Sequence, residues 1–265
     1  MKTYLVGGAV RDHLMGVYPK DKDFVVVGSS EQEMMDKGFE KVGADFPVFI
    51  HPTNGNEYAL ARTERKNGVG YNGFETYHSE DVMIEDDLFR RDLSINSIAI
   101  EVFDDMKTRL VSYIDPFNGV KDIEDKILRH TSDAFIEDPV RVLRIARFRA
   151  RFGPEWKVAD ATKELIYKMA KSGVLGELTA ERVWKELSRA LLDPYPHLFF
   201  ETLLETDTLH ILFPEVYALV SALESHKWHP EGNAFAHTML VLQAASKLNI
   251  EDHLKLAVMF ASLVH

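Results

Sequence analysis

Apolar and polar positions along this chain change rhythm near its middle. Up to about residue 130, short apolar runs alternate with turn-forming Gly, Pro, Asn and Asp, the signature of strands joined by tight connections. This pattern predicts strands at Tyr4–Val6, Asp23–Val27, Val48–His51, Tyr58–Arg62, Ser97–Phe103 and Leu110–Ile114, with helices at Ala9–Met15 and Glu31–Lys37. From Asp138 onward the apolar residues recur at helical spacing. Helices are expected over Pro139–Phe152, Ala161–Lys171, Ala180–Leu192, Leu198–Thr206, Phe235–Leu248 and Glu251–Val264. Asp138-Pro139 has the form of a helix start, a capping carboxylate followed by a residue of fixed φ. Arg65 to Glu80 holds three glycines and few aliphatic residues, and reads as an irregular, mobile loop, either an inert surface segment or a lid. The fold class expected is α+β, a small mixed head followed by an all-helical remainder.

Composition narrows the picture in three ways. A hydrophobic content of 46% over 265 residues supports a sizeable core. The absence of cysteine excludes disulfide frameworks and thiolate metal sites, and fits a reducing compartment. No apolar run approaches membrane-spanning length and no signal peptide opens the chain, so a soluble, cytoplasmic protein is expected. The net charge of −11, from 31 basic against 42 acidic residues, argues against indiscriminate nucleic-acid binding. Charge is unevenly spread, however. Arg141, Arg144, Arg147, Arg149 and Arg151 share one predicted helix, a basic seam able to meet a particular RNA or nucleoside triphosphate.

The chemistry concentrates in the first strands. Lys2 to Val6 leads into Gly7-Gly8 and then into a helix carrying Arg11 and Asp12. Glycines at a strand-to-helix turn let backbone N–H groups approach a phosphate, and Arg11 can pair with phosphate oxygens. Asp21 and Asp23, two apart at the opening of a strand, point to one face and offer oxygen ligands for a divalent ion. Each piece has a plainer alternative: the Gly pair as a turn, the Asp pair as a solvated strand end. A third carboxylate is needed if two ions are held, and Glu57, opening the next strand, is the best placed; otherwise it faces solvent. Arg90-Arg91-Asp92 with Asn96 adds a candidate phosphate ligand, Arg91, and candidate ribose partners, Asp92 or Asn96, unless the segment is only a charged helix start.

Asp138 and Arg141 stand three apart near a helix start and so can face the same way. An acceptor beside paired donors matches the edges of both cytosine and adenine. Uracil and guanine would meet the Asp acceptor with an acceptor of their own, a mismatch costing about 1–3 kcal/mol per unsatisfied buried group. The alternative is that Asp138 is merely an N-cap.

Together, Gly7-Gly8-x-x-Arg11-Asp12, Asp21-x-Asp23, Arg90-Arg91-Asp92, Glu137-Asp138-x-x-Arg141 and Thr179-Ala180-Glu181-Arg182-Val183-Trp184-Lys185-Glu186 resemble the class II tRNA nucleotidyltransferases, the CCA-adding enzymes. The nearest likeness is to the bacterial kind with a C-terminal HD domain, and it runs in unbroken order from Met1 to His265. The resemblance implies a polymerase β-like nucleotidyltransferase head over residues 1–130, a helical neck selecting the base over 131–195, a body over 196–225, and the start of an HD domain over 226–265. It implies Mg2+ at Asp21 and Asp23, and nucleotide contacts from Gly8, Arg11, Arg91, Asp92, Asp138, Arg141 and Arg144, with Asp138 and Arg141 serving as the template for CTP and ATP. Asp115 to Arg129 resembles the hinge that reshapes the pocket between C and A. His237 and His265 stand where HD metal ligands would be, but the paired Asp is missing, so the HD domain is expected to be truncated and Ni2+ or Mn2+ to bind only if such a site were complete. The implied activity is addition of C, C and A to the 3′ end of tRNA from CTP and ATP. The alternatives are a poly(A) polymerase of the same superfamily or an HD-type metal phosphohydrolase fragment.

Overall fold

The computed structural model describes residues 1–19, 21–42, 48–66, 74–77, 79–102, 112–223 and 232–263. They form two compact units, residues 1–137 and 138–265.

The first unit is built on a mixed sheet. In chain order it comprises β1 (Lys2–Val6), α1 (Gly8–Leu14), β2 (Asp23–Val27), α2 (Glu31–Asp36), β3 (Glu40–Val42), β4 (Val48–Ile50), β5 (Glu57–Leu60), β6 (Thr63–Lys66), β7 (Phe74–Tyr77), α3 (Ile84–Phe89), a 3-10 turn (Ser94–Asn96), β8 (Ala99–Val102), β9 (Tyr113–Ile114), α4 (Gly119–Glu124), β10 (Ile127–Leu128) and a further 3-10 turn (Asp133–Glu137). Among the described residues the main sheet runs β3-β4-β5-β2-β1-β8-β9. β2 pairs antiparallel with β1 and parallel with β5.

Both faces of the sheet are covered, which is why β2 reads as an almost unbroken apolar run. Tyr4, Val6, Val25 and Val27 point to the face packed by Val82, Ile84 and Leu88. Val26, Tyr58 and Leu60 point to the other, against Met34 and Phe49. There Phe24 stacks on Tyr58, with ring centroids 4.6 Å apart. Alternation therefore places Asp23, two residues before Val25, on the α3 side of the sheet. The start of α2 is set by Ser30, whose hydroxyl accepts from the Glu33 amide at 3.3 Å.

Helices dominate the second unit: α5 (Val140–Phe152), α6 (Asp160–Ser172), α7 (Ala180–Leu192), α8 (His197–Glu205), α9 (Leu209–Leu212), α10 (Pro214–Ala218), α11 (Ala234–Ala245) and α12 (Asp252–Leu263), with one two-residue strand, β11 (Lys157–Val158). α5 is the central helix, packed against α7 and α8 and burying Val142, Leu143, Ile145, Ala146 and Ala150.

Several expectations are corrected. Within Arg65 to Glu80, expected to be irregular, Thr63–Lys66 and Phe74–Tyr77 pair as an antiparallel hairpin; residues 67–73 and 78 lie outside the described residues. The hairpin strand Thr-Glu-Arg-Lys has no apolar alternation to betray it. Arg90 and Arg91 do not open a helix: Arg90 is the C-cap of α3. The basic seam is partly internal, because Arg147 donates to Glu186 at 2.6 Å and Arg149 pairs with Glu205 at 2.8 Å. Helical spacing within α5 carries no sign of acids contributed by other helices.

Candidate active site

β1 ends at Val6, and the chain turns into α1 through Gly7, at φ 67° and ψ −134°. A residue with a Cβ reaches that conformation only under strain. A Cβ at Gly7 would also lie 2.9 Å from Arg91 Nη1 and 4.0 Å from Asp23 Oδ2. A guanidinium and a carboxylate thus converge on the bare backbone of this turn.

The carboxylates come together through strand register. Asp23 is the partner of Val6 on β1 and of Glu57 on β5. Parallel partners project to the same face, so Glu57 and Asp23 stand side by side. Asp21 lies just before β2 rather than within it, yet lines the same cleft of about 620 Å3 with Lys22, Asp23, Asn56 and Glu57. Among the described residues, no three His, Asp or Glu side chains converge closely enough to hold an ion by themselves. The donor set still suits a hard divalent cation of the Mg2+ type, which takes one or two protein carboxylates and fills its remaining positions with phosphate and water oxygens.

The arginines are held from behind by acids. Asp87, within α3, is fully buried and accepts from Arg90 Nη2 at 2.8 Å and Arg91 Nη2 at 3.0 Å. Burial pushes its carboxyl up, but the charges and hydrogen bonds of the two arginines outweigh that and hold it below the usual range. Arg11, only 4% exposed, donates to Asp12 Oδ1 through Nε and Nη2 at 2.9 and 2.7 Å and to Asn96 Oδ1 through Nη1 at 2.6 Å. Asn96 donates in turn to Asp92 Oδ1 at 2.9 Å. Arg11 Nη2 would be 3.4 Å from a Cβ on Gly8, so this guanidinium lies against the glycine turn as that of Arg91 does.

Behind this cluster, Asp115 caps α4 through the Gly119 and Val120 amides at 2.6 and 2.9 Å. Asp122, 3% exposed, accepts from Ser94 Oγ at 2.6 Å and from Arg129 Nε at 3.0 Å. These contacts tie the segment after Arg91 to α4.

The second unit carries the other candidates. Arg182 Nη2 reaches both oxygens of Asp138 at 2.8 Å. Asp138 Oδ1 also accepts from the Val140 amide at 3.2 Å, so it serves the start of α5 as well. Arg141 is buried in the first turn of α5, and Arg144 lies 5.6 Å over the Phe148 ring and 4.0 Å from Glu186. His237 is on α11; His265, the other expected HD ligand, lies outside the described residues. Sequence reasoning missed Asp87 and did not assign Arg182 to Asp138. A buried acid three and four residues before the Arg pair was the available signal for the first.

The head, with its glycine turn, register-paired acids and flanking arginines, has the make-up of a nucleotidyltransferase. Residues 3–129 match the family described as Poly A polymerase head domain, and residues 156–219 the family described as Probable RNA and SrmB- binding site of polymerase A. The whole chain is 50% identical to the Multifunctional CCA protein of Acinetobacter baylyi (strain ATCC 33305 / BD413 / ADP1) and 49% identical to that of Vibrio vulnificus (strain YJ016). It spans 62% and 63% of the length of those two relatives. Among solved structures, a tRNA nucleotidyltransferase complexed with a primer tRNA and an incoming ATP analog is similar over 98% of this chain and 77% of its own, at TM-score 0.63 and 26% identity. The chain is thus similar over its whole length to proteins described as Multifunctional CCA protein, and its first unit matches the poly A polymerase head.

Proposed function

We propose that this protein adds C, C and A to the 3′ end of tRNA, using CTP and ATP and releasing pyrophosphate. The observation that carries this reading is the register pairing of Asp23 with Glu57 beside the Gly7 turn, with Arg91 over that turn. The terminal ribose hydroxyl of tRNA attacks the α-phosphate in line, and pyrophosphate departs. Asp21, Asp23 and Glu57 would hold divalent ions, Mg2+ in kind, which lower the pKa of the attacking hydroxyl and neutralise charge on the triphosphate. Arg11 and Arg91 bind phosphate oxygens, and the bare backbone of Gly7 and Gly8 lets the triphosphate approach. Asp92 reads the ribose.

Asp138 and Arg141 select the base, the carboxylate accepting the amino group of cytosine or adenine and the guanidinium donating to the ring acceptors. Arg144 completes the nucleotide contacts. In this reading residues 131–195 form the neck, 196–225 the body, and 226–265 the beginning of an HD domain. No described helix is long and apolar enough to cross a membrane, and a tRNA-processing role fits the cytoplasm.

The second reading, poly(A) polymerase, has the description of the head family in its favour. Supplying tRNA that lacks its 3′ CCA with each labelled triphosphate separately distinguishes the two. Incorporation of CTP, followed by a single A, is expected; runs of A without C would establish the alternative.

A further inference from the structure

Three buried polar side chains in the head form a continuous relay, with Asn96 in the middle. Arg11, Asn96 and Asp92 are 4%, 6% and 7% exposed. Asn96 Oδ1 accepts from Arg11 Nη1 at 2.6 Å, and Asn96 Nδ2 donates to Asp92 Oδ1 at 2.9 Å. That same carboxylate oxygen accepts from the Leu93 amide at 2.8 Å. The orientation of the amide follows from its neighbours. A guanidinium only donates and a carboxylate only accepts, so the amide oxygen must face Arg11 and the amide nitrogen Asp92. Asn bridges a donor and an acceptor in this way at any pH, whereas an ionised Asp would set carboxylate against carboxylate and Leu would satisfy neither neighbour.

The bridge is stiff. Asn96 ends a 3-10 turn whose neighbours are pinned, Ser94 by Asp122 at 2.6 Å and Ser97 by its own bond to the Leu93 carbonyl at 2.9 Å. Gly119 packs so tightly on the Ser94 carbonyl that a Cβ there would overlap it. The turn therefore holds Asn96 at a fixed depth beneath Arg11 and Asp92.

We infer that Asn96 is a positioning residue that couples the phosphate-binding Arg11 to the ribose-reading Asp92, and thereby sets the preference for ribonucleotides over deoxyribonucleotides. The inference rests on the nucleotidyl-transfer reading above, which assigns those roles to Arg11 and Asp92. Without the amide, Asp92 loses a donor that orients it and Arg11 loses an acceptor that limits its swing. Phosphate binding then no longer fixes where the carboxylate meets the 2′-hydroxyl.

The test is calorimetric binding of CTP and dCTP, with Mg2+, to the wild-type chain, Asn96→Ala and Asn96→Asp, with each variant's melting temperature measured. Wild type is expected to prefer CTP. Asn96→Ala should lower the CTP:dCTP affinity ratio about tenfold, the size of one buried hydrogen bond, mostly by weakening CTP. The isosteric Asn96→Asp adds a readout that a purely structural role does not move. Deprotonated, the introduced carboxyl repels Asp92; protonated, it donates to Asp92 and accepts from Arg11 as the amide does. Burial and Asp92 favour the protonated form against the pull of Arg11, so the variant's CTP preference should recover as pH falls, while that of the wild type stays level. An unchanged ratio in folded Asn96→Ala, or a wild type that binds both nucleotides equally, overturns the coupling and leaves the nucleotidyl-transfer reading standing. A wild type that binds neither nucleotide overturns both.

Discussion

Arg182 Nη2 stands 2.8 Å from both carboxylate oxygens of Asp138, a residue 44 positions earlier in the chain. The two side chains are 24% and 23% exposed, so the pair is partly screened and contributes on the order of 1 kcal/mol or less to stability. Its larger effect is on direction. A carboxylate that accepts both Arg182 and the Val140 amide is held in one orientation, the one in which it would meet a base under the proposed function.

Replacing Arg182 should therefore loosen base choice more than it weakens the fold. Arg182→Ala is expected to lower the CTP:UTP ratio of kcat/KM about tenfold, the scale of one oriented hydrogen bond. Asp138→Ala should lower it further, because no acceptor is left to repel the uracil O4. A ratio that stays constant in both variants while the melting temperature falls would mean that Asp138 only caps α5.

Gly7→Ala probes the turn. The backbone at φ 67° and ψ −134° costs about 1–3 kcal/mol for a residue with a Cβ. The added methyl also meets Arg91 Nη1 at 2.9 Å and must push the guanidinium aside. A raised KM for the triphosphate is expected, together with a lower melting temperature. An unchanged KM in the folded variant would remove Arg91 from the phosphate site.

Much of this architecture can be read from the chain, and the reasons differ by element. β2 is visible because both its faces are buried, and α7 because its apolar stripe is sharp; the expected Ala180–Leu192 coincides with the observed helix. The hairpin of Thr63–Lys66 with Phe74–Tyr77 is hidden because its first strand is polar throughout. α3 is hidden by its brevity: six residues, three of them acidic, leave no periodicity to detect. For the site, local spacing identifies Asp21, Asp23 and Arg91 as candidates. It cannot show that Glu57 falls in register with Asp23, or that Arg182 reaches Asp138, because both depend on which distant segments pack together.

Asp193 links stability to pH. It caps α7, and among the described residues its Oδ2 has no hydrogen-bond partner. Burial pushes its carboxyl up to about 6, although Arg147 and Arg151 pull it down. A carboxyl raised in the folded state holds its proton while the unfolded chain has lost one, so stability falls as pH rises from about 4 to about 6. The loss should be on the order of 1–3 kcal/mol. Asp193→Asn should remove this slope, so that the variant gains on the wild type as pH rises. Thermal unfolding of both proteins between about pH 4 and about pH 8 checks it; parallel curves would show that Asp193 titrates normally.

If the register-paired acids beside the Gly7 turn perform nucleotidyl transfer, removing their charge slows the chemical step. Its most direct measurement is the single-turnover rate of C addition to tRNA lacking CCA, with saturating CTP and Mg2+, for wild type, Asp23→Asn and Glu57→Gln. All three proteins should show the same circular dichroism, since both residues are exposed at strand ends. Asp23→Asn should reduce the rate by at least about a thousandfold, the scale expected when a group that stabilises transition-state charge is removed. Glu57→Gln should show a smaller but clear loss, partly recovered by raising Mg2+. Near-normal rates in Asp23→Asn would rule this carboxylate out of the transfer step.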